Sequence, residues 1–196
     1  SCLRDSGADL FQSFQETYHE EQYAVMHPSG RKMDYDFRVG VIERAIEAGF
    51  SKVGMGVLLG LYDYRFEVLA LLAHAALLRS RYGITPAALS VPRLRPAPGS
   101  ILERPPYPVS DSAFKKIVAI YRLALPYTDL TVSTRESERM RDEVIHTGAS
   151  VLSAGSRTEP GGYTQSVSTG QFEIEDKRPL GVIEKAIRSC GLVPDH

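Results

Sequence analysis

The stretch "KVGMGVLLGL" at residues 52–61 is apolar after its first residue and is interrupted only by glycines. A short apolar run of this kind is typical of a β-strand that is covered on both faces. Apolar residues recur at helical spacing on both sides of it, in "DYDFRVGVIERAIEAGF" (34–50) and "RFEVLALLAHAALLRSRYG" (65–83), and a glycine closes each pattern. A buried strand between two helices predicts a parallel sheet with helical crossovers.

The same alternation extends in both directions along the chain. Strand-like runs lie at 9–14, 88–96, 130–135 and 150–157, and helical patterns lie at 110–126, 137–148 and 178–191. The order predicts an α/β fold of five strands, each followed by a helix, either as a doubly wound sheet or as part of a (β/α) barrel. Five units are too few to close an eight-stranded barrel.

Composition indicates one globular domain, because 43% of the 196 residues are hydrophobic and 24% are charged. The 23 Lys and Arg are scattered among 24 Asp and Glu, so we expect neither a nucleic-acid partner nor an anionic membrane. No apolar run is long enough to span a bilayer and no signal-peptide layout opens the chain, which favours a cytoplasmic protein. Cys2 and Cys190 are too few and too far apart for a disulfide framework.

Polar residues follow the predicted strands at their carboxyl ends, where the sites of such folds lie. They include Glu16, Tyr18 and His19 after the first strand, Asp63 after the second, Arg93 after the third, Ser133 and Arg135 after the fourth, and Ser156 and Arg157 after the fifth. Period two places Ser133 and Arg135 on one face of their strand. We expect the two strand-end arginines to meet an anion, most simply a carboxylate, which a guanidinium can hold bidentately.

In a second interpretation, Arg135 and Arg157 lie on a solvent-exposed rim of the sheet. There they would pair with the nearby acids Glu136, Glu138 or Glu159. His74 lies in the Ala- and Leu-rich helix, where a histidine that packs between elements is the more common case. The glycines of "GVLLGL" could equally serve close strand–helix packing alone.

Five segments, in order, resemble one enzyme family. They are "FQETYHEEQYAVMHPSGRKMDYDFR", "GVLLGLYDYRFEVLALLAHA", "SVPRLRPAPG", "LPYTDLTVSTRES" and "AGSRTEPGGY". Together they are similar to the radical S-adenosylmethionine (SAM) tyrosine lyases, which comprise the thiamine-pathway 2-iminoacetate synthase and the [FeFe]-hydrogenase maturase that makes carbon monoxide and cyanide. The second and fifth segments look closer to the maturase. The resemblance runs from about residue 3 to residue 193.

The resemblance implies a partial (β/α)8 TIM-type barrel, with residues 1–177 as its C-terminal half and residues 178–196 as a helical extension that leads into a missing tail. It also implies two cofactors, SAM and a [4Fe-4S] cluster. The family's CxxxCxxC cluster loop is absent from this sequence, which fits a truncated fragment that is inactive alone. The reaction implied is Cα–Cβ cleavage of tyrosine to p-cresol and dehydroglycine.

Residue roles follow from the same resemblance. Glu16 and Arg38 resemble the residues that bind the ribose or amino group and the carboxylate of SAM, respectively. Leu58, Gly60 and Asp63 fall in the strand that packs on adenine, and Arg93 follows the strand beside it. Ser133, Arg135, Ser156 and Arg157 fall where the family binds tyrosine, and Tyr18 or His19 would assist a proton transfer.

Two other functions stay open from sequence alone. One is a cluster-free scaffold that binds SAM or an amino acid, and the other is a conventional barrel lyase that uses Glu16, His19 and the arginines. The coding sequence upstream of Ser1 would separate them from the radical enzyme. Because half a barrel exposes unpaired strand edges, we also expect the fragment to self-associate.

Overall fold

The computed structural model describes residues 2–95, 102, 104–157 and 174–195. Its strands are β1 Leu10–Gln12, β2 Lys52–Gly56, β3 Ala88–Ser90, β4 Asp129–Val132 and β5 Val151–Leu152. Its helices are α1 Cys2–Asp5, α2 Glu20–Met26, α3 Tyr35–Val39, α4 Val41–Glu47, α5 Tyr64–Tyr82, α6 Asp111–Ala124, α7 Glu138–Ile145 and α8 Leu180–Ser189.

The five strands form one parallel sheet in the order β1-β2-β3-β4-β5. A doubly wound sheet reverses its strand order at a switch point, whereas a barrel adds each strand beside the previous one. The sequential order therefore confirms the predicted α/β class and decides for part of a (β/α) barrel.

The hydrophobic core lies between the sheet and its helices. Along β2 and its continuation, Val53, Met55, Val57 and Leu59 are buried, as period two requires of one sheet face. The helices contribute buried apolar side chains to the same core: Val68, Leu71 and Leu78 from α5, Phe114, Ile117, Val118 and Tyr121 from α6, and Met140 and Val144 from α7. The opposite face of the sheet, called the open face below, carries the alternate residues.

Helix boundaries differ from the sequence prediction in several places. The single helix expected at 34–50 is two helices, α3 and α4, joined at Gly40. The strand expected at 150–157 is regular only at Val151–Leu152. Helix α2 was not predicted, because its N-cap is His19, which accepts a hydrogen bond from the main-chain N–H of Gln22 at 3.2 Å, and histidine is not a typical cap. Ser110, one of the two predicted caps of α6, does cap it.

The C-terminal helix α8 packs against α7 and buries Ile183. The division at residue 177 into a half-barrel and an extension remains a prediction. Within the described ranges, no helix is long and apolar enough to cross a membrane.

Candidate functional site

The candidate site is the carboxyl end of the open face. Leu58 is partly exposed there, although its neighbours Val57 and Leu59 are buried among the helices. On β4 the alternation is the same: Leu130 and Val132 are buried, whereas the residues between and after them are only half-buried. The open face therefore carries partly exposed side chains, and they alternate along each strand with side chains that are buried against the helices.

Two glycines of β2 leave space on the open face because they carry no side chain. A Cβ atom on Gly56 would lie 2.2 Å from the carbonyl oxygen of Ser90 and 2.5 Å from the ring of Phe14. A Cβ on Gly54 would likewise meet the side chain of Gln12 at 2.8 Å. These two glycines therefore make room for side chains of the β1 segment on the open face. Of the glycines in "GVLLGL", Gly56 thus faces β1 instead of serving the strand–helix packing considered from sequence.

Glu16 lies at a bulge that follows β1. The register pairs Gln12 with Gly54 but Glu16 with Val57, so the β1 segment carries one extra residue. Glu16 has a φ of 71° and is the only residue other than glycine with a positive φ in the described parts of the chain. A left-handed backbone at a glutamate costs on the order of 1–2 kcal/mol.

The Glu16 carboxylate shares an electrostatic environment with Arg135 on the far side of the face. It also forms an exposed ion pair with Lys32, 3.2 Å from Nζ. Burial lowers the pKa of the Arg135 guanidinium, and the charges of Glu16 and Glu136 act in the opposite direction. The carboxylate after β1 and the guanidinium after β4 are thus close enough for their charges to interact.

The other predicted substrate residues also follow β4 and β5. Ser133 Oγ accepts a hydrogen bond from the main-chain N–H of Arg135 at 3.4 Å. Ser156 is half-buried and Arg157 is exposed. Residues 158–163 of the "AGSRTEPGGY" motif, with Glu159, lie outside the described residues.

Arg93 lies on the helix-facing side of the sheet. It pairs with Leu59 in register, and its guanidinium carbon is 4.9 Å from the centre of the Phe114 ring. Its donors bind Glu136 through Nε (2.9 Å) and Nη2, and Asp111 (2.8 Å) and the carbonyl of Val109 (3.0 Å) through Nη1. Burial alone would lower the pKa of Arg93, but the two carboxylates outweigh it and raise that pKa.

Two of the acids considered as rim partners, Glu136 and Glu138, pair with other arginines. Glu136 is buried and pairs with Arg93 and with Arg95, whose Nη2 is 3.4 Å from it. Glu138 is 3.9 Å from Arg178.

Three further predicted cofactor residues have structural roles, two through hydrogen bonds and one through its backbone conformation. Arg38 donates through Nε and Nη2 to the carbonyl of Phe14, at 3.2 and 2.7 Å, and so binds the segment that leaves β1. Asp63 is the N-cap of α5 and accepts the main-chain N–H of Arg65 at 2.7 Å. Gly60 has a φ of 112°, which favours glycine there.

The two predicted proton-transfer residues differ in exposure. Tyr18 is buried, its hydroxyl lies 2.7 Å from Nδ1 of His74, and burial, together with Tyr121 and Glu67, raises its pKa. His19 is half-buried and stacks on Tyr62 at 3.7 Å between ring centres. His74 packs between elements, as predicted, because its Nε2 is 3.3 Å from Glu43 on α4.

Sequence reasoning missed two buried polar groups at the strand ends. Glu67 on α5 is fully buried and accepts hydrogen bonds from the Thr17 hydroxyl and from the Tyr18 N–H, the latter at 2.9 Å. It lies one turn before Leu71 on the buried stripe of the helix, so an acid at an apolar position was the available signal.

The second missed group ties the returning chain to β4. The N–H groups of Glu175 and Asp176 donate to the carbonyl of Thr134 at 3.0 and 3.2 Å. Asp176 is buried and pairs with Arg141 and Arg178. No sequence signal revealed this link, because the partners are far apart in the chain.

The open face suits SAM better than it suits an iron–sulfur cluster. Leu58 offers an apolar surface and Glu16 an acceptor for hydroxyl or ammonium donors. In the described residues, no group of three or more His, Cys, Asp or Glu could hold a metal ion. The chain's two cysteines are also too few for a [4Fe-4S] site.

A family model provides the decisive comparison. The Biotin and Thiamin Synthesis associated domain matches residues 90–193, which is more than half of the chain. The chain belongs to this family. The family assignment, with the relatives below, confirms the resemblance drawn from the five sequence segments.

Two curated relatives are 2-iminoacetate synthases. The enzyme of Escherichia coli (strain K12) is 35% identical over 194 residues, which cover 98% of this chain and 51% of the synthase. That of Salmonella typhimurium is 34% identical over the same coverage. The chain therefore spans about half the length of the curated relatives it matches.

Solved structures give the same family placement. HydG, a maturase of the [FeFe]-hydrogenase, superposes with a TM-score of 0.94 at 47% identity over 98% of this chain and 42% of HydG. HydG from Carboxydothermus hydrogenoformans gives 0.91 at 42% identity over 98% of this chain and 44% of HydG. Methylornithine synthase (PylB), at 20% identity and a TM-score of 0.71, covers 98% of this chain and 54% of PylB, and shares the fold alone. The five-stranded parallel sheet matches the C-terminal part of the radical SAM TIM barrel of these structures.

Proposed function

We propose that this chain is the C-terminal half of a radical SAM lyase that cleaves the Cα–Cβ bond of tyrosine to p-cresol and dehydroglycine. The observation that carries the proposal is the open face, where Glu16, Leu58 and Arg135 lie at the carboxyl end of a sheet that superposes on HydG. Carboxyl ends of barrel strands are where such enzymes hold their ligands.

Within this proposal the hydrogenase-maturation branch is favoured over thiamine synthesis. The identity to the two HydG structures is 47% and 42%, against 35% and 34% to the two synthases. The second and fifth of the five sequence segments, which look closer to the maturase, support the same preference.

The residues of the chain would bind and orient, while bound SAM supplies the radical that abstracts hydrogen from tyrosine. Arg135 would hold the tyrosine carboxylate bidentately, with Ser133, Ser156 and Arg157 beside it. Glu16 and Leu58 would contact the adenosyl part of SAM. Arg38, Gly60, Asp63 and Arg93 would act behind them, since their observed contacts hold the main chain and neighbouring side chains.

A proton transfer in this site stays assigned to Tyr18 or His19. His19 is the more exposed of the two, and the raised pKa of Tyr18 makes its phenolate harder to form. Both follow the bulge at Glu16, but the Tyr18 hydroxyl lies in the core beside His74, whereas the half-buried His19 is open to solvent in part.

The test uses the complete enzyme with its cluster reconstituted, together with SAM, tyrosine and a strong reductant. We expect p-cresol and 5′-deoxyadenosine by mass spectrometry. Carbon monoxide, detected by its binding to deoxymyoglobin, would support the maturase branch, and p-cresol without carbon monoxide would support thiamine synthesis. Absence of p-cresol under conditions that cleave SAM would contradict the lyase assignment.

The second candidate is a scaffold that binds SAM or an amino acid without cleaving it. Glu16, Leu58 and Arg135 on the open face are compatible with it, because binding alone needs no cluster. The 196-residue chain alone should form no 5′-deoxyadenosine after iron–sulfur reconstitution. Tight binding of SAM by this chain without any cleavage in the complete protein would favour the scaffold.

A further inference from the structure

The carboxylate of Glu67 is buried beneath the end of β1. Its two oxygens accept from consecutive residues, one from the Thr17 hydroxyl and one from the Tyr18 N–H at 2.9 Å. Thr17 Oγ1 in turn accepts the N–H of His19 at 3.1 Å. One side chain of α5 thus holds three consecutive residues of the segment that leaves β1.

This carboxylate has no ion pair among the residues that the structure describes. An unpaired acid is expensive to bury, and burial raises the pKa of Glu67 while its two hydrogen bonds oppose that shift. An apolar Leu or Met at this buried position would avoid that cost. The hydrogen bonds to residues 17 and 18 are therefore what the acid contributes.

Glu16 is fixed from both sides as a result. Its carbonyl accepts the N–H of Leu58 at 2.8 Å, which closes the bulge against the β2 segment. The peptides that follow it are held by Glu67. Between these two attachments the backbone of Glu16 keeps its left-handed φ of 71°, and its side chain reaches the face shared with Arg135.

We infer that Glu67 is a positioning residue that fixes the bulge after β1 and thereby directs the Glu16 carboxylate toward the ligand of the open face. The ligand, SAM, rests on the proposed function. Glu67 itself does not contact the ligand. Its effect on affinity passes through the main chain of residues 16–18.

The experiment measures SAM and tyrosine affinities of the complete enzyme by calorimetry for five variants. Glu67→Leu removes both acceptors, and Glu67→Gln keeps one acceptor for the Tyr18 N–H. Thr17→Val removes the bond to Glu67 and the acceptor for the His19 N–H, but it leaves the bond between Glu67 and the Tyr18 N–H in place. Glu16→Gln tests the ligand contact itself. Leu78→Ala is the matched control, because it truncates a buried residue of the same helix far from β1.

We expect Glu67→Leu to weaken SAM binding by about tenfold, the worth of one lost charge-assisted hydrogen bond. Thr17→Val should weaken it less, Glu67→Gln should largely restore it, and tyrosine affinity should hold in each. Amide exchange of the peptide that contains Tyr18 should accelerate in Glu67→Leu but not in Leu78→Ala. If Glu67→Leu fails to fold, the Thr17→Val and Glu67→Gln pair decides in its place.

Two outcomes would overturn the inference in different ways. If Glu16→Gln weakens SAM binding while Glu67→Leu and Thr17→Val behave like Leu78→Ala, then Glu67 is structural and the proposed function stands. If Glu16→Gln leaves SAM affinity unchanged, the ligand assignment of the proposed function fails, and the inference fails with it.

Discussion

Glu16 combines a charged side chain with a backbone conformation that glycine would adopt more easily. Strained residues of this kind persist where the surrounding structure holds them, and they cluster at functional sites. The strain here is held by hydrogen bonds from Leu58 and to Glu67, on either side of Glu16. We therefore infer that Glu16 serves a function through its side chain, and that its backbone conformation lowers the stability of the fold.

Stability measurements can separate strain from function at this position. We predict that Glu16→Gly unfolds with a free energy about 1 kcal/mol higher than Glu16→Ala, because both lose the exposed pair with Lys32 but only glycine relieves the left-handed backbone. Urea unfolding of the two variants checks this. Equal free energies would mean that the bulge relaxes when the glutamate is removed.

Arg135 and Arg157 give a second prediction at the scale of single residues. Replacing either by Leu in the complete enzyme should weaken tyrosine binding by about 1.5–3 kcal/mol, or roughly tenfold to a hundredfold, and leave SAM affinity unchanged. Arg38→Leu should show the reverse, since it frees the Phe14 carbonyl close to Glu16. Calorimetric titration with each ligand separates the cases. Small and equal changes of both affinities in all three variants would indicate that these arginines have a structural role on the rim.

Among the elements, the strands and long helices were predictable because each is an apolar run or pattern with recognisable residues at its ends. β2, α5 and α6 follow the pattern closely, and their caps use typical residues such as Ser110 and Gly83. Elements without such signals were not predictable. The break at Gly40 and the short helix α2 depend on local contacts that no periodicity reveals.

For the candidate site, the sequence indicated position more readily than orientation. Glu16 follows β1 and Arg135 follows β4, as the strand pattern indicated, and their roles in binding remain predictions. The side of the sheet that Arg93 faces depends on its register with Leu59, which cannot be read from one sequence. Glu67 and Asp176 were missed because their roles depend on partners distant in the chain.

The contacts between α7 and residues 174–178 predict that the protein loses stability at acid pH. Burial would raise the pKa of Asp176, but hydrogen bonds from Arg178 and the charge of Arg141 outweigh it and lower that pKa below 3.8. A carboxyl with a lowered folded-state pKa contributes stability above its unfolded value and loses it as pH falls through the folded value. The contribution should therefore be complete at neutral pH and decline only below about pH 3.8.

We expect Asp176→Asn to cost about 3 kcal/mol of unfolding free energy near neutral pH, because it leaves Arg141 buried without its carboxylate. The difference from the parent chain should shrink as pH falls below 3.8. Urea unfolding across this range tests it, with Glu21→Gln, at an exposed acid of α2, as the control. A gap that stays constant with pH would contradict an ionised Asp176.

At the scale of the whole molecule, the sheet has two unpaired edges within the described residues. β1 pairs with β2 on one side, and β5 pairs with β4 on one side. Each edge borders an apolar groove. One groove of about 560 Å³ lies between β5 and α8, and one of about 360 Å³ lies between β1 and α4.

We predict that the 196-residue chain self-associates, because an unpaired parallel edge beside an apolar groove offers both hydrogen-bonding groups and surface to a second copy. The weight-average mass from sedimentation should rise with concentration. Val151→Lys should reduce it, since Val151 is an exposed residue of the β5 edge and a lysine there opposes edge pairing. Leu69→Lys, on the exposed side of α5, the helix that connects the inner strands β2 and β3, should leave association unchanged. A monomer mass at every concentration would mean that the chain covers its own edges, and an equal response to both lysines would place the contact on the helices instead.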